Sequence, residues 1–147
     1  MILKTYAAIY TRSGSGPNGW PLPIWNSAED DWRPEQVYLT VVAPGAHKGP
    51  HLHKRRCGRF TCIKGNVLIV LRVPTHMGLA YQALWSGEDY QYATIEVRPG
   101  IPAAVYNLGT APAYVLNMPS PPWRADDQDE WPVEGWEFQP IGGGHAA

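Results

Sequence analysis

The densest run of chemically capable side chains is Lys48-Gly-Pro-His-Leu-His-Lys-Arg-Arg56. His51 and His53 are two residues apart, so in an extended strand they project from one face. Two imidazoles on a common face suit three roles. They can be a solvated pair in a basic loop. They can be ligands of a metal ion. Or one can act as a general base near neutral pH while the other positions a substrate. Spacing alone leaves all three open. Lys54, Arg55 and Arg56 follow directly and could grip a diphosphate, or could be an ordinary solvated basic turn.

The elements that must carry these residues read as short strands. Glu35 to Val42 alternates, with Val37, Leu39 and Val41 on one face and Gln36, Tyr38 and Thr40 on the other. Arg59–Lys64 and Asn66–Val73 read as strands flanking a tight Gly65-Asn66 turn, a hairpin. Tyr90–Val97, Ala103–Asn107 and Ala113–Met118 follow, the last two joined across Gly109. In the last of them, alternation sets Tyr114 and Leu116 against Val115 and Asn117. Gly78 to Trp85 reads as a short helix or a loop, and Asp126 to Glu130 as irregular. Six or more antiparallel strands make an all-β sandwich or small barrel whose mouth can hold a ligand.

Composition agrees. The 147 residues suit one domain over 1–147, with 141–147 a loose tail. Gly 15 and Pro 15 are too many breakers for a helical bundle. Lys+Arg 12 against Asp+Glu 13 leaves net charge -1, which argues against a nucleic-acid binder. The apolar runs are far short of the roughly 20 residues of a membrane helix. The first residues lack a leader pattern, so the expectation is a cytoplasmic protein. Cys57 and Cys62 leave opposite faces of a strand start and are expected to be reduced thiols.

Pro44-Gly-x-x-x-Gly-Pro-His-x-His53, followed by Phe60-Thr-Cys-Ile-Lys-Gly65, resembles the first motif of the cupin superfamily. Arg98-Pro-Gly-Ile-Pro-Ala-Ala-Val-Tyr-Asn107 resembles the second. Metal-binding cupins add a Glu to the first motif and a third His to the second. Ala103 stands at that third position and no carboxylate at the Glu position, so no metal is expected. Lys48-Gly-Pro-His51 is similar to a segment of the RmlC-like cupins typified by the nucleotide-sugar 3,5-epimerases. The resemblance implies a cupin-type jelly roll, commonly a homodimer. It also implies a nucleotide-linked 4-keto-6-deoxy sugar, a dTDP-sugar above all, as substrate, and no cofactor.

A ketone at C4 acidifies the protons at C3 and C5. A base removes one of them and a positive group or hydrogen-bond donor holds the resulting enolate. By resemblance His51 is the base, Arg59 stabilises the enolate, and Lys48 and Gln36 contact substrate. The resemblance also implies a late Asp behind the base, for which Asp126, Asp127 and Asp129 are candidates and Asp127 is the expected catalytic residue. The epimerases carry a proton-donating Tyr in the last strand, where Asn117 falls; Tyr38, Tyr106 or Tyr114 could replace it. His53, Lys54, Arg56, Tyr106 and Asn117 complete the expected substrate contacts. The neighbouring 3,4-ketoisomerases share a pattern like Gln36-Val-Tyr38 before Lys-Gly-x-His-x-His, and Tyr38 with His51 fits them. A non-catalytic sugar- or nucleotide-binding cupin, and a metal-dependent cupin using His51, His53 and Cys57, are the other readings.

Overall fold

The computed structural model describes residues 7–10 and 14–140. The expected tail at 141–147 lies outside them. Among the described residues, nine strands form two antiparallel sheets. They are β1 (Ala7–Tyr10), β2 (Tyr38–Val42), β3 (His47–His51), β4 (Gly58–Lys64), β5 (Asn66–Thr75), β6 (Gly78–Gly87), β7 (Thr94–Val97), β8 (Ala103–Tyr106) and β9 (Ala113–Asn117). One sheet runs β1-β7-β4-β9-β2 and the other β3-β8-β5-β6. This is the all-β sandwich expected.

The core lies between the sheets. Val67, Ile69, Leu71, Ile95, Val115, Val42 and Cys62 are essentially inaccessible there. β5 is buried on both faces, which explains its unbroken run Val67-Leu-Ile-Val-Leu71. Leu68 and Val70 point outward with Ala104 and Tyr106. Trp136 and Phe138 of the C-terminal segment cover that outer face.

Three expectations need correction. Arg59–Lys64 and Asn66–Val73 are not a hairpin: β4 pairs with β7 and β9, whereas β5 pairs with β6 and β8. The turn at Gly65, φ 75, carries the chain from one sheet to the other. Gly78 to Trp85 is neither helix nor loop but most of β6, paired with β5 from Gly78 to Gly87. Its inward Ala80 and Leu84 alternate with outward Leu79, Ala83 and Trp85, so both faces are apolar and the two-residue period is hidden. The Tyr90–Val97 strand shortens to Thr94–Val97, because Gln91 and Tyr92 take positive φ after a 3₁₀ turn at Glu88–Tyr90. Leu39 and Val41 of β2, and Val37 just before it, face outward and are about half exposed, while Tyr38 and Thr40 face inward.

One carboxylate ties the C-terminal segment to the chain leaving β3. Asp129 Oδ1 accepts from the Lys54 amide at 3.0 Å, and Oδ2 accepts from the Arg55 and Arg56 amides, each at 2.8 Å. Trp131 Nε1 donates to Oδ1 at 3.1 Å, and Leu52 and Trp131 form a β-bridge. Burial opposes the charge of Asp129, but the amide donors outweigh it and hold the carboxyl well below the usual range. Asp129 sits at φ 47, a conformation Asn adopts equally well, so Asp129→Asn isolates the lost charge and acceptor. That substitution is expected to cost about 2–3 kcal/mol in chemical denaturation, the scale of hydrogen bonds to a charged group. The folded-state pKa is depressed, so the native advantage is complete above the ordinary aspartate value of 3.8. The advantage should shrink as pH falls below that value.

Candidate active site

A cavity of about 360 Å³ opens between the sheets. One wall carries Tyr38 and Thr40 of β2, Phe60 of β4, and Val115 and Asn117 of β9. The facing wall carries Lys48 and His51 of β3 and Ala103 and Val105 of β8. His53, Arg56, Arg98, Trp123 and Glu130 complete the lining. Strand alternation places each side chain: β2 and β9 present every second residue inward, and the outward partners never reach the cavity.

β3 is irregular where it delivers the histidines. Its register against β8 shifts between Lys48 and His51. Gly49 adopts φ 88 there, and a Cβ on it would lie 2.8 Å from the Ala103 carbonyl oxygen. No other residue type fits this bulge without moving β8. Beyond the bulge, His51 and His53 stand with ring centroids 6.4 Å apart. Both rings are held through Nδ1. His51 Nδ1 lies 2.6 Å from Glu130 Oε1, and His53 Nδ1 lies 2.6 Å from the Asp129 carbonyl oxygen. Carboxylate and carbonyl oxygens only accept, so Nδ1 carries the proton in both and each neutral ring keeps its Nε2 lone pair. Burial pushes the pKa of His53 down against the pull of the Asp129 carbonyl, so this ring favours the neutral form.

Of the candidate site residues, Tyr38, Lys48, His51, His53, Arg56 and Asn117 border the cavity. Four other expected site residues are corrected by strand parity or by the course of the loops. Arg59 lies on the opposite face of β4 from Gly58 and Phe60. It is buried between the rings of Tyr10 and Trp32 and paired with Asp30 and Glu96. Tyr114 is on the outward face of β9. Tyr106 follows inward Val105 and packs outward against Phe138, accepting a hydrogen bond from Trp136 Nε1 at 2.8 Å. Asp127 pairs with Arg55 at the surface, and Asp126 with Arg124.

Lys54 and Gln36 act one step from the cavity. The Lys54 ammonium stands 3.7 Å from the Trp131 ring centroid, and Gln36 Oε1 accepts from the amide of Trp123, which does line the cavity. Glu130, not Asp126, Asp127 or Asp129, backs His51. The segment is irregular, so no periodicity in the sequence could single it out. Arg98, first residue of the second motif, was also missed; only its place in that motif hinted at it.

Cys57 does not border the cavity, and burial pushes its thiol up to about 12; Cys62 is pushed up to about 11. Both are free thiols. Ala103 faces the cavity where metal-binding cupins carry a third His. Among the described residues no three His, Cys, Asp or Glu side chains group as a ligand set.

No protein-family model matches the sequence. No curated protein matches it either. Solved structures do match. A dTDP sugar isomerase from Desulfovibrio desulfuricans G20 superposes with TM-score 0.78 at 18% identity, covering 92% of this chain and 90% of that one. The fold is the cupin-type jelly roll. QdtA, a sugar 3,4-ketoisomerase from Thermoanaerobacterium thermosaccharolyticum in complex with TDP, shares this cupin fold with TM-score 0.71 at 16% identity, over 88% of this chain and 89% of that one. A histidine-to-asparagine variant of QdtA in complex with TDP-4-keto-6-deoxyglucose matches with TM-score 0.70 at 15% identity, over 88% of both chains. At these identities the likeness establishes the jelly roll, and the chemistry must come from the side chains.

Two measurements check the cavity and the strand beside it. Ring-nitrogen NMR should show His53 as the Nδ1–H tautomer, titrating below the ordinary histidine value of 6.5. A thiol reagent at pH 8 should leave Cys57 and Cys62 unmodified in the folded protein and label both after unfolding.

Proposed function

We propose that the protein is a nucleotide-sugar isomerase of the 3,4-ketoisomerase type, acting on an NDP-4-keto-6-deoxy sugar, with a TDP-sugar the preferred substrate. The observation that carries the reading is the His51–Glu130 pair at 2.6 Å on one wall of the cavity, with Tyr38 on the other. Glu130 holds the Nδ1–H tautomer and stabilises the imidazolium that forms when Nε2 takes a proton from carbon. Charge supports an anionic ligand. Lys48, Arg56 and Arg98 line the cavity against a single carboxylate, Glu130, already engaged with His51. Arg56 is buried with its Nε unpartnered, and its guanidinium is bonded through Nη2 alone, to the Gln128 carbonyl at 3.1 Å. A phosphate or sugar oxygen would satisfy such a group.

The 3,5-epimerase expectation relies on Arg59 and on a Tyr from the last strand. Arg59 and Tyr114 both lie outside the cavity, and Asn117 occupies the inward position. The ketoisomerase alternative relies on Tyr38 and His51, and both border it. Structural likeness to a dTDP sugar isomerase and to a 3,4-ketoisomerase in complex with TDP agrees with this choice.

In the reaction, His51 Nε2 removes the C3 proton and the electron pair forms a C3–C4 double bond. The C4 carbonyl oxygen becomes an enediolate oxygen and is protonated. The C3 hydroxyl then gives up its proton as C4 receives one, leaving a C3 ketone. Both rings lie on the same wall, so a proton taken by His51 can return to the adjacent carbon without a second acid on the opposite ring face.

Incubation with TDP-4-keto-6-deoxyglucose in deuterated water, followed by NMR, should show the carbonyl moving from C4 to C3 with no exchange at C5. Exchange at C3 and C5 with the ketone retained at C4 would favour the epimerase; no conversion and no exchange would overturn the isomerase reading. His51→Asn should lower kcat by about 10²–10⁴, the scale of a lost general base, and leave TDP binding intact. Glu130→Gln should lower kcat by about 10–100-fold with little change in KM, because it mispositions the base and leaves the contacts to substrate in place.

A further inference from the structure

Asn117 of β9 stands directly opposite Tyr38 of β2 in the sheet and is 3% exposed. The two ends of its amide are not interchangeable. The backbone N–H of Arg59 reaches one end at 3.1 Å, and an N–H can only donate, so that end is the carbonyl oxygen Oδ1. The other end is therefore the NH₂, and it lies 2.7 Å from the Tyr38 hydroxyl. An amide nitrogen has no lone pair to offer, so the Tyr38 oxygen accepts this bond and its own proton turns elsewhere. Among the described residues no group accepts that proton. Tyr38 borders the cavity, which is where the O–H is left to donate.

We propose that Asn117 is a positioning residue that dictates the direction of the Tyr38 hydroxyl, so that Tyr38 presents its O–H to the C4 oxygen of the sugar. The inference rests on the ketoisomerase reading and adds a proton path to it. As His51 takes the C3 proton and negative charge moves to the C4 oxygen, Tyr38 passes its proton to that oxygen. The Asn117 amide still donates to the phenolic oxygen and stabilises the charge Tyr38 briefly carries. When C4 is reprotonated by the His51 imidazolium and the C3 hydroxyl becomes the carbonyl, Tyr38 takes the hydroxyl proton back. Every proton is accounted for, and neither Tyr38 nor Asn117 changes state over the cycle.

The test uses reversed polarity. In Asn117→Asp a near-isosteric carboxylate still accepts from the Arg59 amide, but its second oxygen accepts from Tyr38 and draws the O–H away from the cavity. The variants Asn117→Asp, Tyr38→Phe and the two combined are compared with the native protein by kcat and KM across pH. Asn117→Asp is expected to lower kcat by about 30-fold or more, within the range of a lost general acid, with KM changed less than about threefold. Added to Tyr38→Phe it should cost no further activity, since both changes remove the same donor. Its activity relative to the native protein should recover as pH falls, because the protonated side chain again has an O–H to donate to Tyr38. Asn117→Ala, which removes the donor without adding a charge, should show the same lack of additivity and serves should the acidic variant fail to fold. An active native protein with kcat of Asn117→Asp within about twofold overturns the positioning role alone. So does a double variant whose loss equals the product of the single losses. A native protein that converts no 4-keto sugar nucleotide overturns the ketoisomerase reading and this inference together.

Discussion

A single buried carboxylate holds the site together. Asp129 receives three successive amides, those of Lys54, Arg55 and Arg56, and a tryptophan N–H. A charge taken out of water is costly unless fully bonded, so the chain around Asp129 has little freedom once it docks. Both histidines depend on that docking. The Asp129 carbonyl fixes the His53 ring and the next side chain, Glu130, fixes His51. The Leu52–Trp131 bridge and the Lys54 ammonium over the Trp131 ring hold the same segment from either side. Orientation of the two imidazoles is therefore a long-range property, set by residues more than seventy positions away in the chain.

Strand parity sets the rest of the site chemistry. Each strand can place only alternate side chains in the cavity, so a one-residue shift would swap the cavity-facing set for the outward one. β2 turns Tyr38 and Thr40 inward and leaves Leu39 and Val41 outside. β4 turns Phe60 inward and Arg59 outward, where the guanidinium binds Asp30 and Glu96 between two aromatic rings and anchors the segment before β2. A cation thus buried between carboxylates serves packing, whereas Arg56 and Arg98 keep positive charge at the cavity.

The two walls bring different groups to the cavity. The four-stranded sheet and the loop after it supply lone pairs, from His51 and His53. The five-stranded sheet supplies a directed O–H, from Tyr38 backed by Asn117. The polar groups fixing that direction are themselves sheet residues, Asn117 bonding the Arg59 amide of the neighbouring strand, so the donor is held as rigidly as the backbone. Such preorganisation is what lets a few dipoles stabilise a developing negative charge.

Much of this was legible in the residues alone. The two-residue spacing of His51 and His53, the alternation of β2 and β9, the turn-rich composition and the two cupin-like motifs determine an all-β jelly roll with imidazoles near its mouth. They also place Tyr38 and Asn117 on opposable faces, because a strand's parity is local and needs no partner to be known. The sequence could not decide which strands share a sheet, as the false Gly65-Asn66 hairpin illustrates: a tight turn looks the same whether the chain folds back or crosses over. Nor could it decide that β6 is a strand, that Arg59 faces away, or that Glu130 rather than a nearby aspartate meets His51. Those outcomes depend on which distant surfaces pack together, and packing is settled only when both sheets and the C-terminal segment close around one cavity.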